Sequence, residues 1–591
     1  MTLVRVKRVL LVAAENDALH GAKVGGMADV IRDLPPALAA CSVIADVAMP
    51  NYGFLAQQYR AAHLADIEVN FAGQHHTVAV YRLPRPQHKD AIVNVAQDKR
   101  DGMTAQIYLF DHPLFNHQGK VYCSGSADRP FAQDATKFAL FSLSVATCLV
   151  NEVLPRFEVL HLHDWHSAMV AMLRGCVDDF CALKALPCVF TIHNLALQGI
   201  RPFNGDDSSF SSWFPQYMGT LNALADTSIF DPRYNNCINP MRMGIVLSDK
   251  VHLVSPSYAQ EVLMPSDHHK GFFGGEGLEA DLVVKSLQGH LVGIINGCVY
   301  EDVGNAQVNN ANTQANSTHQ MGNTYQNEYA RLLLQAENAV IKWQAKADSV
   351  SVLDSIALAR ISQYKQALLS KKLPDFATNK RTLDEEKQPF LLTSVGRLTE
   401  QKVLILLQPF TGSQAGQAPQ YHPSATTVLE AILQSLKRQQ PNGVFMMLGS
   451  GDVHIAKALQ ATAARYDNFV FLHGYDEDLS EQLYQLGNLF LMPSSFEPCG
   501  ISQMLAMRAG QPCLVHGVGG LNDTIDDNVT GWVFNGTTLA AQGEALVARF
   551  TQVVELFGSD TWEQVKQNAT QQRFTWDEVA KQYIEKLYVS N

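Results

Sequence analysis

Short, uninterrupted apolar runs recur through this chain in two blocks, each run followed by a turn and a helix-length amphipathic stretch. The first, K-R-V-L-L-V-A-A at residues 7–14, leads through a glycine-rich turn, K-V-G-G-M-A-D-V from Lys23 to Val30, into a helical pattern ending near Ala40. A strand apolar at every position is buried on both faces, which is the habit of parallel sheets covered by helices. Further runs follow at Val43–Met49, Val159–Leu162, Cys188–Ile192 and Val251–Val254, then at Phe390–Val395, Val444–Leu448, Val470–Leu472, Leu489–Met492 and Pro512–His516. Strands alternating with helices predict an α/β chain of two doubly wound halves with ligands between them. No internal repeat at solenoid periods is present.

Charge narrows the function. Among 591 residues, 45 Lys and Arg stand against 57 Asp and Glu, a net charge of −12. Such a balance argues against nucleic acid and anionic membranes as partners. The apolar run from Val9 to Ala14 is too short for a secretory core, and Ala139–Val150 is too short to span a bilayer. Ten scattered cysteines form no C-x-x-C pair, so zinc ribbons and dithiol redox motifs are not supported and a reducing cytoplasmic location is expected. Between the halves, eleven of the thirty residues from Glu301 to Ala330 are Asn or Gln and none is Lys or Arg. That stretch reads as an exposed or poorly ordered insertion. Helical segments are expected at Tyr329–Ala347 and Val350–Leu369, a charged linker at Lys380–Lys387 and a second polar insertion at Gly412–Thr426.

Several turns carry chemistry. At Lys23-Val24-Gly25-Gly26, glycines admit a ligand close to the backbone and free N–H groups at a helix start favour anions, with Lys23 adding a full charge. An ordinary strand-to-helix turn would look the same. His161-Leu162-His163-Asp164-Trp165-His166 follows a strand end. Three imidazoles and a carboxylate admit a metal, but alternation puts His161 and His163 on one strand face and His166 in the next helical turn, and Asp164 suits a helix cap. A sugar site is better supported, because open α/β sheets bind ligands at the carboxyl ends of their strands. T-I-H-N-L-A-L-Q-G, Thr191–Gly199, brings His193 to a neighbouring strand end in register; a hydrogen-bonded core histidine is the alternative.

In the second half, V-G-R-L-T-E-Q-K (Val395–Lys402) sets Arg397 and Lys402 beyond a strand end, a pair suited to a diphosphate. L-G-S-G-D (Leu448–Asp452) is consistent with nucleotide binding but weak alone. P-S-S-F-E-P-C-G (Pro493–Gly500) puts Glu497 in a proline-broken loop before a helix, where a charged carboxylate would accept hydroxyl hydrogen bonds. Gly519 and Gly520 open another helix, a second anion cradle. Cys499 has no base paired with it in the sequence and is not read as a nucleophile.

Taken in order, K-V-G-G-M-A-D-V, H-D-W-H, T-I-H-N-L-A-x-Q-G, V-S-P-S-Y-A-x-E (Val254–Glu261), G-R-L-T-E-Q-K and F-E-P-C-G resemble the bacterial glycogen synthase and plant starch synthase family. The resemblance runs from residue 8 to F-T-W-D-E-V-A-K-Q-Y at Phe574–Tyr583. It implies the GT-B architecture: two Rossmann-like domains facing a central cleft, with a last helix crossing back. The implied boundaries are 1–290 for the acceptor-side domain, 291–388 for an interdomain segment, 389–565 for the nucleotide-sugar domain and 566–591 for the returning helix. The implied reaction moves glucose from ADP-glucose to the nonreducing end of an α-1,4-glucan with retention, without metal or other cofactor.

By motif, the resemblance implies that Lys23, Gly25 and Gly26 contact the donor, with Asp29 beside them. Asp164 lies near the acceptor and the donor sugar, His193 against the transferred glucose, and His166 and Asn239 on the acceptor side. Arg397 and Lys402 neutralise the diphosphate, Glu497 holds sugar hydroxyls, and Cys499 and Gly500 line its loop. Gly519, Gly520 and Leu521 meet the distal phosphate, and Tyr475 packs on the base. The chain departs from the family pattern at Cys298-Val299-Tyr300, Val403, Ser495 and His516-Gly517-Val518, which leaves UDP-glucose or another acceptor as an alternative. A glycan-binding paralogue without turnover is the non-enzyme reading; Lys23, His193, Arg397, Lys402 and Glu497 all being present argues against it.

Overall fold

A computed structural model describes residues 6–86, 104–123, 129, 131–300, 318–346, 352–372, 389–410 and 425–589. The chain divides into two compact units: residues 1–266, 273–299 and 574–591, and residues 267–272 and 300–573.

The first unit is built on β1 (Arg8–Val12), β2 (Ile44–Pro50), β3 (Ala62–Phe71), β4 (Gln74–Pro84), β5 (Gln106–Asp111), β6 (Val159–His163) and β7 (Cys188–Ile192). A small antiparallel pair, β8 (Arg201–Pro202) and β9 (Cys237–Ile238), precedes β10 (Lys250–Leu253) and β11 (Leu291–Gly293). The main sheet runs β11-β10-β7-β6-β1-β2-β5-β4-β3, parallel from β11 to β5 and antiparallel at the β3–β4 hairpin edge. Every residue of β6 and β7 is buried, as the uninterrupted apolar runs require. The apolar stretch Ala139–Val150 is part of the largely buried helix Ala132–Val150.

The second unit carries β12 (Leu391–Val395), β13 (Val444–Gly449), β14 (Phe469–His473), β15 (Leu489–Met492), β16 (Cys513–His516) and β17 (Gly531–Phe534), all parallel, in the order β14-β13-β12-β15-β16-β17. Alternate residues feed two cores. Leu391, Val444, Met446 and Leu448 face the helices Thr318–Lys346, Val352–Lys372 and Glu477–Leu486. Leu392, Phe445 and Met447 face Val428–Gln439, Val453–Arg465 and Leu539–Glu555.

The helix Thr318–Lys346 begins inside the stretch read from composition as an exposed insertion. Its buried face (Tyr329, Leu332, Leu333, Ala336 and Val340) lies in the helix expected from Tyr329, which extends upstream to Thr318. Residues 301–317, the linker 380–387 and residues 412–424 lie outside the described residues. The first unit reaches Val299 rather than 290, because β11 adds an edge strand to β10. Its return begins at Phe574 rather than 566: Cys298 N–H donates to the Phe574 carbonyl (2.6 Å), and helix Trp576–Gln582 packs on helix Gly26–Ala40. No helix among the described residues is long and apolar enough to cross a membrane.

Candidate active site

In the first unit β6 and β7 end side by side, and their loops are locked together. Asp164, directly after β6, has a left-handed backbone (φ 54°), which aspartate tolerates better than most residues. Its N–H donates to the Thr191 carbonyl (2.9 Å), and its carboxylate accepts the N–H groups of His193 (2.7 Å) and Asn194. The reading of Asp164 as a helix cap is therefore corrected: the carboxylate reaches sideways to the neighbouring loop. Burial pushes its pKa up to about 7, against the pull of the two N–H groups.

His193 Nε2 lies 2.9 Å from His163 Nδ1. Burial first, and the neighbouring His252 second, hold the His193 pKa down at about 3, so the ring is neutral at pH 7 and acts through hydrogen bonds. His166 sits in the turn before helix Met169–Cys176, clamped among Trp165, Phe138 and Tyr122 at ring distances of 4.3, 4.8 and 5.1 Å. His161 has both ring nitrogens engaged, by Tyr588 and Thr191. Among the described residues no group of three or more His, Cys, Asp or Glu is arranged to hold a metal ion.

In the turn before helix Gly26–Ala40 two of the N–H groups are taken. Val24 (2.7 Å) and Gly25 both donate to the Glu15 carboxylate, whose other oxygen accepts the Tyr122 hydroxyl (2.7 Å). The cradle holds an anion of the chain itself. Lys23 Nζ bridges Asp29 (2.7 Å) and Asp17 (3.2 Å), and Arg32 reaches the same Asp17. Asn239 also differs from its expected acceptor contact. It is 0% exposed, caps helix Pro240–Leu247 by accepting the Arg242 N–H (3.1 Å), and donates to Gln198 and Asp231 (2.7 Å each). With both its amide nitrogen and oxygen engaged inside the fold, it positions that helix.

In the second unit Arg397 stands exposed on the loop after β12. That loop lies directly against the one after β13: a Cβ on Gly449 would come 2.3 Å from the Gly396 carbonyl oxygen, and one on Gly451 2.5 Å from that of Leu398. The L-G-S-G-D glycines are thus explained by backbone packing. Lys402, on the short helix Glu400–Val403, sets Nζ against Glu497 Oε2, which also accepts the Ser494 hydroxyl (3.2 Å). Glu497 is only 7% exposed.

Its loop is braced on three sides. Ser495 N–H donates to the Gln401 carbonyl (2.8 Å), the neighbour of Lys402. His516 Nδ1–H donates to the Ser494 carbonyl (2.9 Å), and Gly520 N–H to the Glu497 carbonyl (3.0 Å). Two departures from the family pattern, Ser495 and His516, are therefore braces of the Glu497 loop. Gly520 is demanded by close approach, since a Cβ there would come 2.2 Å from the Cys499 carbonyl oxygen. With Gly520 N–H on Glu497 and Leu521 N–H on Val518 (3.1 Å), the Gly519-Gly520-Leu521 cradle is largely occupied. Gly500 is left-handed (φ 74°), and Gln503 Nε2 donates to the Cys499 and Gly500 carbonyls (3.1 Å each). Cys499 is buried, whereas Tyr475, beyond β14, is 57% exposed.

Sequence reasoning missed Glu15, Ser494, Gln401 and the bracing role of His516. Glu15 alone left a signal, as the acid that ends the apolar run of β1. In each unit, Asp164, His193, Arg397, Lys402, Tyr475 and Glu497 lie just beyond the carboxyl ends of parallel strands, where doubly wound sheets bind ligands.

Residues 8–284 match the family model for the starch synthase catalytic domain, and residues 415–552 that for glycosyl transferases group 1. A glycogen synthase of Streptococcus agalactiae serotype Ia is 27% identical, the match covering 98% of this chain and 99% of that one. A glycogen synthase of Francisella tularensis subsp. holarctica is 27% identical over 96% of this chain and 95% of its own. The catalytic domain of starch synthase IV from Arabidopsis thaliana, solved with ADP and acarbose, shares the fold at a TM-score of 0.63, with 23% identity and 99% of each chain covered. Ordered motifs, two family matches and full-length relatives coincide: the chain belongs to the glycogen and starch synthase family of GT-B glycosyltransferases.

Proposed function

We propose that this protein is a glycogen synthase that transfers glucose from ADP-glucose to the nonreducing end of an α-1,4-glucan with retention of configuration. The observation that carries the reading is the Lys402–Glu497 pair beside the open Arg397 at the ends of β12 and β15. It combines a cation for phosphate with a carboxylate for sugar hydroxyls, in a chain matched along nearly its whole length by glycogen synthases.

Breaking the bond from the anomeric carbon to the diphosphate builds negative charge on phosphate oxygen and positive charge on the sugar. Arg397 and Lys402 stabilise the first; fixed cations in a dry site supply several kcal/mol for such a step, on the order of two or more powers of ten in rate. Glu497, held by Lys402 and Ser494, accepts hydrogen bonds from sugar hydroxyls. His193 and Asp164 serve the transferred glucose, His193 as a neutral imidazole. Asp164, with a pKa of about 7, is able to carry a proton near neutral pH. Glu497 is an ion-paired anion held beside a cation, unlike a member of a glycosidase carboxylate pair. Tyr475 offers an exposed ring to the base.

Glucose incorporation into glycogen, with ADP-glucose and UDP-glucose side by side and an EDTA control, tests the reading. EDTA-resistant transfer preferring ADP-glucose is expected. Preference for UDP-glucose would overturn the donor assignment, and no transfer from either donor by folded protein would overturn the activity.

A further inference from the structure

Behind His193 lies a buried polar chain that starts in the C-terminal segment. Tyr588 OH is 2.9 Å from His161 Nδ1, and His161 Nε2 is 2.6 Å from Thr191 Oγ1. Thr191 Oγ1 is in turn 2.9 Å from His252 Nδ1, whose Nε2 is 3.3 Å from the Ile294 carbonyl oxygen. His161, Thr191 and His252 are 0% exposed and Tyr588 is 2% exposed.

Only one proton arrangement satisfies every link. A carbonyl can only accept, so His252 carries its proton on Nε2 and leaves Nδ1 bare. The Thr191 hydroxyl then donates to His252 Nδ1 and accepts from His161 Nε2–H, which leaves His161 Nδ1 bare to accept the Tyr588 hydroxyl proton. Burial keeps the imidazoles uncharged and the phenol protonated, consistent with this direction. The Tyr588 end is pinned, because Lys250 Nζ on β10 donates to the carbonyls of Lys586 (2.8 Å) and Val589 (3.0 Å).

The chain reaches His193 through stacking. The His163 ring lies on His161 (4.4 Å, 24°) and beside His193 (5.2 Å, 24°), with His163 Nδ1 2.9 Å from His193 Nε2. His163 Nε2 is buried without a hydrogen-bond partner among the described residues. A proton there would bury an unmatched N–H, so the proton belongs on Nδ1, donated to His193 Nε2. His193 is then left with its own proton on Nδ1.

We propose that Tyr588 and His161 are positioning residues for the transfer step: through them the C-terminal segment fixes the ring stack of His161, His163 and His193, so that His193, in its Nδ1–H form, is aimed to donate a hydrogen bond to an oxygen of the transferred sugar. This inference rests on the proposed role of His193. No proton is transferred along the chain; it sets ring orientation, while the His163 contact sets the His193 tautomer.

The test uses the full-length protein and its Tyr588→Phe, His161→Phe and His193→Ala variants. Nitrogen-15 NMR of ring-labelled histidine assigns the His193 tautomer, and steady-state kinetics give kcat and the donor KM. The expected result is Nδ1–H in the parent protein and in Tyr588→Phe, with the His193 ring resonances of Tyr588→Phe displaced because the stack beneath it has moved. The kcat of Tyr588→Phe is expected to fall about tenfold, the cost of misaligning the His193 hydrogen bond to the sugar, with donor KM changed less than about twofold and a melting midpoint lowered by only a few degrees for the orphaned His161 nitrogen. Should Tyr588→Phe fold poorly, His161→Phe gives the same readouts, and an Nε2–H His193 in the parent protein overturns the inference by itself. Unchanged kcat and unchanged His193 ring resonances in Tyr588→Phe and His161→Phe, with His193→Ala strongly impaired, would overturn the positioning role only. Near-normal turnover in His193→Ala would instead overturn the role of His193 itself.

Discussion

Lys402 and Glu497, ninety-five positions apart, hold each other as an ion pair, and the Ser495–Gln401 backbone contact fixes the distance between their loops. The two partners are not equivalent. Glu497 is 7% exposed, whereas the Lys402 side chain keeps 26% of its surface open. Lys402 can therefore meet a second anion while still neutralising Glu497, which is what a phosphate-bearing donor requires.

Removing either partner should cut turnover by orders of magnitude, but stability should respond unevenly. Lys402→Ala strands a buried carboxylate and should cost about 1–3 kcal/mol. Glu497→Gln keeps the Ser494 contact and frees an ammonium that reaches water, so it should cost less. Urea unfolding of both variants checks the order, and near-normal turnover in either would remove the role assigned to that residue.

Gly520→Ala should destabilise the second unit by about 2–4 kcal/mol and impair turnover, because the new methyl meets the Cys499 carbonyl oxygen and parts Gly520 N–H from Glu497. Gly558→Ala, where nothing lies within 4 Å of the added carbon but φ is +80°, controls for backbone strain alone. The prediction is lost if the two variants lose equal stability and Gly520→Ala keeps full turnover.

Asn239→Ala should cost about 1–2 kcal/mol through loss of a helix cap and of two buried hydrogen bonds. Its KM for glycogen should stay within about twofold of the parent, a scale set by the absence of any lost contact energy. A selective rise in that KM would restore Asn239 to the acceptor side.

Stability should depend on pH with a definite sign. His193 and His252 have folded-state pKa values of about 3, below the ordinary 6.5, and burial depresses His161 and His163 as well. Their contribution is complete above pH 6.5 and is lost as pH falls towards 3. Each histidine adds a slope of at most about 1.4 kcal/mol per pH unit. Urea unfolding at fixed ionic strength should show stability falling below pH 6.5; a flat profile would mean that the rings take up protons as readily in the fold as in the unfolded chain.

Asp164 works in the opposite direction. Its pKa is raised from 3.8 to about 7, so its cost is absent below 3.8 and grows as pH rises through 7. Asp164→Asn keeps an oxygen for the His193 N–H and should gain stability relative to the parent as pH rises over that window. A stability difference that stays constant with pH would show that Asp164 is already ionised throughout.

The doubly wound halves were legible because buried parallel strands must be apolar at every position, and the turns carrying Asp164, His193, Arg397 and Glu497 directly follow such strands. The Asn/Gln-rich stretch misled at its carboxyl end, where the helix expected from Tyr329 already begins at Thr318 and is anchored further on by Tyr329, Leu332 and Leu333. Composition averaged over thirty residues hides a helical face that needs only a few apolar side chains. Glycines misled in another way. At Gly449, Gly451 and Gly520 the absent Cβ serves backbone packing, which sequence cannot tell from room for a ligand.

The sequence by itself determined where strands end and which charged, imidazole and carboxylate groups stand at those ends, since both follow from local apolar periodicity and motif order. Only the tertiary structure decided how those groups are partnered. Glu15 takes two N–H groups of the turn before helix Gly26–Ala40, Asn239 turns inward as a cap, Lys402 closes on Glu497, and Tyr588 reaches His161 across 427 positions. The reason is physical: a buried polar atom takes whichever partner the packed fold brings within about 3 Å, and that distance is set by sheet register rather than by spacing along the chain.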